Sequence, residues 1–143
     1  MAMSPKGKKL LEQMRKARGF VFPAFELLCE MDPGLIERYE ALKNHILGKE
    51  EGFPEKHKEL FITIAIAVRD PSAHEQLKLH LKRALKLGAT PVECLEAFEA
   101  VLPPSGMSIL VAGCNALKEV LDEMKAKAGA RRFRPSGPPF LKA

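Results

Sequence analysis

The chain is poor in aromatic residues and cysteine, and these shortages narrow its class before any motif is read. It contains no tryptophan, one tyrosine and three cysteines in 143 residues. Cys29, Cys94 and Cys114 are odd in number, far apart and set among apolar neighbours. They read as reduced, buried thiols rather than as a disulfide framework or a metal site. No apolar run is long enough to cross a bilayer. The charged N-terminus lacks the apolar core of a signal peptide, so a cytoplasmic protein is expected. Two histidines four apart with glutamate between them, as in zinc proteases, are also missing, because His74 and His80 are six apart. At about 100° per residue they point about 120° away from each other on a helix and cannot easily grip one ion. A metal site is therefore not expected.

What is present is helical throughout. Hydrophobic residues make up 46% of the chain and aromatics 6%, a balance suited to helix packing, and the length fits one domain with a sizeable core. Repeated starts of the form Ser4-Pro5, Pro23, Asp32-Pro33, Pro54, Asp70-Pro71 and Thr90-Pro91, each followed by an apolar periodicity, predict an all-α fold of about seven helices with no strand. The first helix should end by Gly19, the second reach Met31 and the third stop at Gly48. Leu35, Ile36, Tyr39, Leu42 and Ile46 fall at helical spacing in that third helix.

Phe61 to Val68 is apolar except for Thr63, which predicts a central helix buried on all sides. Asp70-Pro71 is expected to open the next helix and Gly88 to stop it. Thr90 and Glu93 form a capping box for a helix burying Val92, Leu95, Phe98 and Leu102, which Pro103-Pro104 should end. A last helix from about Ser105 to Ala128 would carry Leu110, Cys114, Leu117, Leu121 and Met124 on one stripe.

The formal charge of +5 is unevenly spread. Residues 1–18 carry +5 and residues 125–143 carry +6, which leaves −6 for residues 19–124. The ends read as solvated arms. Without a recognised binding module, nucleic acid is not expected as a partner. The organisation expected is a basic N-terminal helix or arm over 1–19, a helical domain over 20–128, and a basic, Pro/Gly-rich tail over 129–143, extended from Gly129.

The chemistry, if any, belongs to His74-Glu75-Gln76-Leu77-Lys78-Leu79-His80. Gln76 and His80 share a helix face with Ala73 and Ala84, whose small side chains leave room for a ligand. On composition and spacing alone, the simpler reading of His80 is a hydrogen-bonded histidine in a helix interface. Lys78, Lys82 and Arg83 read first as surface charges, and His45 and His57 as exposed side chains.

The segment from Ala73 to Ala84, followed by Gly88-Ala89-Thr90 and Glu93, resembles the signature of the carboxymuconolactone decarboxylase family, which includes the alkylhydroperoxidase D-like proteins. Lys58-Glu59-Leu60 upstream, Ser105-Gly106-Met107 downstream and Pro23 to Leu28 also fit, so the resemblance spans roughly residues 20 to 122. The family's peroxidase branch carries a Cys-x-x-Cys pair seven and four residues before the histidine, where this chain has Ala73 and Gln76. Dithiol peroxide reduction requires those thiols. His74, Glu75, Leu79, His80 and Leu81 match the decarboxylase branch instead. Members of that branch usually also carry a tryptophan and a late proline, where this chain has no tryptophan and has Ser108 after Met107.

The resemblance implies an alkylhydroperoxidase D-like helical domain with a helix-hairpin core, assembled as a homotrimer or homohexamer with sites near subunit boundaries. It further implies cofactor-independent decarboxylation of a small, anionic carboxylated lactone or oxo acid. His80 would be the acid/base and Glu59 its orienting partner, with His74, Gln76 or Arg83 binding substrate. The competing expectation is a non-catalytic helical oligomer that binds a small ligand or a partner protein.

Overall fold

The computed structural model describes residues 2–49 and 51–132, the side chains of residues 131 and 132 excepted. Seven helices and no strand lie among them: α1 (Pro5–Arg18), α2 (Pro23–Met31), α3 (Pro33–Gly48), α4 (Glu55–Arg69), α5 (His74–Lys86), α6 (Pro91–Ser105) and α7 (Met107–Arg132). They divide into two compact units, Met1–Glu50 and Glu51–Ala143.

In the first unit the caps are those the proline starts imply. Ser4 Oγ accepts from the Gly7 amide at 3.1 Å and Asp32 Oδ1 from the Leu35 amide at 2.9 Å, each satisfying a donor the first turn of a helix leaves free. The basic N-terminal helix is part of this unit. It packs on α2 and α3 around Met14, Cys29 and Ile36. Contact is closest at Gly7, where a Cβ would lie 2.0 Å from the Cys29 carbonyl oxygen. Of the periodic apolar positions in α3 only Ile36 is buried, while Leu35, Tyr39, Leu42 and Ile46 are exposed.

The second unit holds the candidate chemistry. Its core joins Leu60 and Ala67 of α4, Leu77, Leu81 and Ala84 of α5, Cys94 and Phe98 of α6, and Ile109, Ala116, Leu117 and Val120 of α7. Burying a side chain such as Leu77 or Leu81 completely stabilises the fold by roughly 1.5–3 kcal/mol. Phe98 meets α7 at Gly113, where a Cβ would come within 2.4 Å of the ring. The capping box forms as expected: Glu93 N donates to Thr90 Oγ1 and Thr90 N to Glu93 Oε2. Lys56 bonds the Glu93 carboxylate at 2.7 Å, and chiefly this bond, with that from the Thr90 amide, holds the glutamate at a pKa of about 2.

Several expectations are corrected. α4 is not buried on all sides, because Phe61, Ala65 and Val68 are exposed. They recur at i, i+4 and i+7, one stripe that the helices packed on α4 within this unit leave uncovered. Asp70-Pro71 does not open α5. Asp70 Oδ1 instead accepts from both the backbone and the hydroxyl of Ser72, closing an Asx-type turn, and the helix starts three residues later without a side-chain cap. Pro103 and Pro104 lie inside α6 rather than after it. Proline φ is already helical, so the cost of the missing amides is confined to one final turn, which the Gly106 amide closes on Leu102 O. Val92 is 61% exposed rather than buried, and Met124 is exposed at the end of its stripe. The last helix continues through Gly129 to Arg132, because a single glycine costs a helix only about 1 kcal/mol relative to alanine. The expected extended tail beyond it, residues 133–143, lies outside the described residues.

Candidate functional site

α4 and α5 are joined by only four residues, 70–73, and pack closely on one another. Glu59, early in α4, therefore meets His80 and Arg83, late in α5, as an antiparallel helix hairpin requires. Along α5 the ridge Leu77, Leu81 and Ala84 is fully buried. At about 100° per residue, Gln76, His80 and Arg83 fall on one flank of that ridge and His74, Lys78 and Lys82 on the other.

On the α4 flank, Glu59 is fully buried. Its Oε2 lies 2.7 Å from His80 Nδ1. A carboxylate can only accept, so in that form it selects the tautomer with the proton on Nδ1 and leaves the Nε2 lone pair free. Arg83 Nη2 approaches the other oxygen, Oε1, at 3.0 Å. Oε1 nonetheless has no hydrogen-bond partner among the described residues, so the guanidinium balances its charge without a well-aligned bond. The backbone is fixed beneath the carboxylate by Thr63, whose hydroxyl donates to Glu59 O at 2.7 Å. The His80 side chain keeps 19% of its surface and Arg83 31%, so both partners reach the surface over a carboxylate that does not. Gln76 lies one turn before His80, half-buried.

The α7 flank is different in kind. His74 Nε2 is 3.0 Å from Glu119 Oε1, and Lys78 reaches Glu119 at 3.0 Å and Glu123 at 2.9 Å. Lys82 reaches Glu123 at 2.6 Å. The bonds from Lys82 and then Lys78 hold Glu123 at a pKa of about 2, and those from His74 and then Lys78 lower Glu119. Bonds to Glu123 and then Glu119 raise Lys78 above the usual ammonium range. His74 also lines an open groove of about 820 Å³, bounded by Pro71, Ser72, Met107, Val111 and Asn115. Neither His80 nor Glu59 lines that groove.

Of the residues singled out in the sequence, His80, Glu59 and Arg83 are thus brought together and Gln76 is placed beside them. His74 is turned to α7. The sequence reading missed the bond network between α5 and α7. Its signal was the matched spacing of Lys78 with Lys82 and of Glu119 with Glu123, four apart on each helix. It also missed that Arg83 faces Glu59. Cys29 and Cys94 are buried and unpaired, and Cys114 is half-buried and unpaired. Burial, the larger cause, and the charge of Glu93 push the Cys94 thiol up to about 11. Among the described residues no three His, Cys, Asp or Glu side chains gather as a metal set. None of the described helices is long and apolar enough to cross a membrane.

The same arrangement of helices occurs elsewhere. A crystal structure of a presumed carboxymuconolactone decarboxylase from Burkholderia xenovorans LB400 superposes with a TM-score of 0.71 at 21% identity, covering 87% of this chain and 98% of that one. At that identity the likeness establishes the fold. No curated protein matches the chain. The sequence itself matches a family profile over residues 33–119, a span that holds Glu59, His80 and Arg83 and most of the chain's length. By that match the chain belongs to the carboxymuconolactone decarboxylase family.

Proposed function

We propose that the chain is a cofactor-independent carboxy-lyase acting on a small carboxylated lactone or related oxo acid, with His80 as the general acid/base. One observation carries this reading: a fully buried carboxylate lies 2.7 Å from Nδ1 of a histidine that is itself part-exposed. That is how an imidazole is held in one tautomer with its second nitrogen free to exchange a proton.

In the reaction, the bond from the substrate carbon to its carboxylate breaks and carbon dioxide leaves. The electron pair passes into a conjugated carbonyl as an enolate. His80, as the imidazolium, delivers the Nε2 proton to the carbon and regains one from water. Glu59 holds the ring and offsets its charge while it is protonated. Ala73 and Gln76 stand where the family's peroxidase branch has its thiols, which supports the decarboxylase branch over peroxide chemistry.

The test is carbon dioxide release from carboxymuconolactone and from simple β-oxo acids. His80→Ala is expected to lose roughly 10²–10⁴-fold in kcat, and Glu59→Gln to lose activity with the fold intact by circular dichroism. Equal rates for wild type and His80→Ala, or no turnover of any of these acids, would overturn the assignment.

A second reading, a helical assembly that binds without catalysis, is supported by the large apolar side chains left exposed, Met31 at 71% and Val92 at 61% among them. A homotrimer or homohexamer is the assembly the family resemblance implies. Light scattering paired with the carbon dioxide assay separates the two readings, because an assembly that turns over none of these acids favours the second.

A further inference from the structure

The basic side chains of α5 are not equivalent, and the difference bears on which acids the site accepts. Lys78 and Lys82 are committed to Glu119 and Glu123 on the α7 flank. Arg83 is the basic residue on the His80 flank, three residues on, where helical neighbours have Cβ atoms about 5–6 Å apart. Its one ion pair among the described residues is to Glu59 Oε1, through Nη2 alone. Part of the side chain, 31%, remains at the surface. A guanidinium is a planar fork, so it can keep one edge on Glu59 and offer the other to a ligand carboxylate.

Charge development decides which carboxylate that is. The departing carboxylate loses its charge as carbon dioxide forms, so a cation paired with it would stabilise the ground state more than the transition state and slow the reaction. A carboxylate that stays in the product keeps its charge throughout, and pairing it lowers KM without raising the barrier.

We propose that Arg83 is a specificity-determining residue that anchors a retained carboxylate, so that the site selects dianionic over monoanionic acids. The proposal rests on the decarboxylase reading for its kinetic arm, and its binding arm is independent of turnover. The kinetic comparison is oxaloacetate, which keeps a carboxylate after losing carbon dioxide, against acetoacetate, which keeps none. The binding comparison is glutarate against butyrate by calorimetry, for wild type, Arg83→Gln, Arg83→Lys and His80→Gln.

For Arg83→Gln, kcat/KM for oxaloacetate relative to that for acetoacetate should fall roughly 10- to 100-fold, as expected when a charge-assisted pair is removed; any effect passed through Glu59 to His80 falls on both substrates alike and leaves that ratio unchanged. Circular dichroism should show that the variant folds, and butyrate binding should change less than glutarate binding. Glutarate binding should weaken by a similar factor, less so in Arg83→Lys, and persist in His80→Gln. An equal loss of kcat/KM for both substrates, with their ratio unchanged, would overturn the proposal, since Arg83 would then act only through Glu59. So would glutarate binding equally to wild type and Arg83→Gln, or not binding wild type at all. Arg83-dependent glutarate binding with no turnover of either acid would sustain the anchor and remove the decarboxylase reading.

Discussion

The two flanks of α5 use the same kinds of charged group to opposite ends. Towards α4, one carboxylate with no exposed surface is shared by a histidine and an arginine, and one of its oxygens lacks a hydrogen bond. Towards α7, two part-exposed glutamates are shared by one histidine, His74, and two lysines, Lys78 and Lys82. A charge in water has solvent as an alternative partner, so each bond of the second set is worth little. A buried carboxylate has only the partners the fold supplies, so loss of one leaves it uncompensated. Similar residues a few positions apart thus make a site on one side and a surface seam on the other, and burial is what separates them.

The comparison can be broken most severely at the ridge between the flanks. Leu81→Ala opens a cavity under both and should cost roughly 2–5 kcal/mol, read as a lower denaturation midpoint in urea with an unchanged slope. A smaller but more selective effect is expected at Arg83. Arg83→Ala removes the guanidinium beside Glu59 Oε1 and should cost roughly 1–3 kcal/mol, most of it surviving in high salt because the carboxylate is out of reach of screening. If 1 M salt abolished the difference, the α4 flank would be no different from the α7 flank.

The least effect belongs to Glu123. Its folded-state pKa of about 2 lies below the ordinary glutamate value, so its contribution is present above that ordinary value and is lost as pH falls through about 2. Glu123→Gln should therefore differ slightly from wild type at pH 7. The difference should shrink as the pH is lowered from about 4.5 towards 2 and vanish in high salt. A difference that grew on acidification would reverse the assigned sign.

Much of this was legible in the residues. Ser4, Asp32 and Thr90 announced their helices because a side-chain oxygen three residues before a free amide is a local arrangement, settled within one turn. The pairing of Glu59 with His80 was expected from the family resemblance, and the helix period alone placed His74 on a different flank. Asp70 and Pro103 misled, for the opposite reason. An aspartate-proline pair serves a turn as readily as a cap, and a proline in a last turn breaks only bonds that end nearby.

What the sequence determined by itself is the periodicity: seven helices, the residues that share each flank, and the absence of a thiol pair beside His80. Only the tertiary structure decided which flank is dry. Burial is a property of what packs against a helix, and the period of α5 puts Arg83 and Lys82 on opposite flanks without deciding which is dry until α4 brings Glu59, with no surface left to water, to within 3.0 Å of one of them.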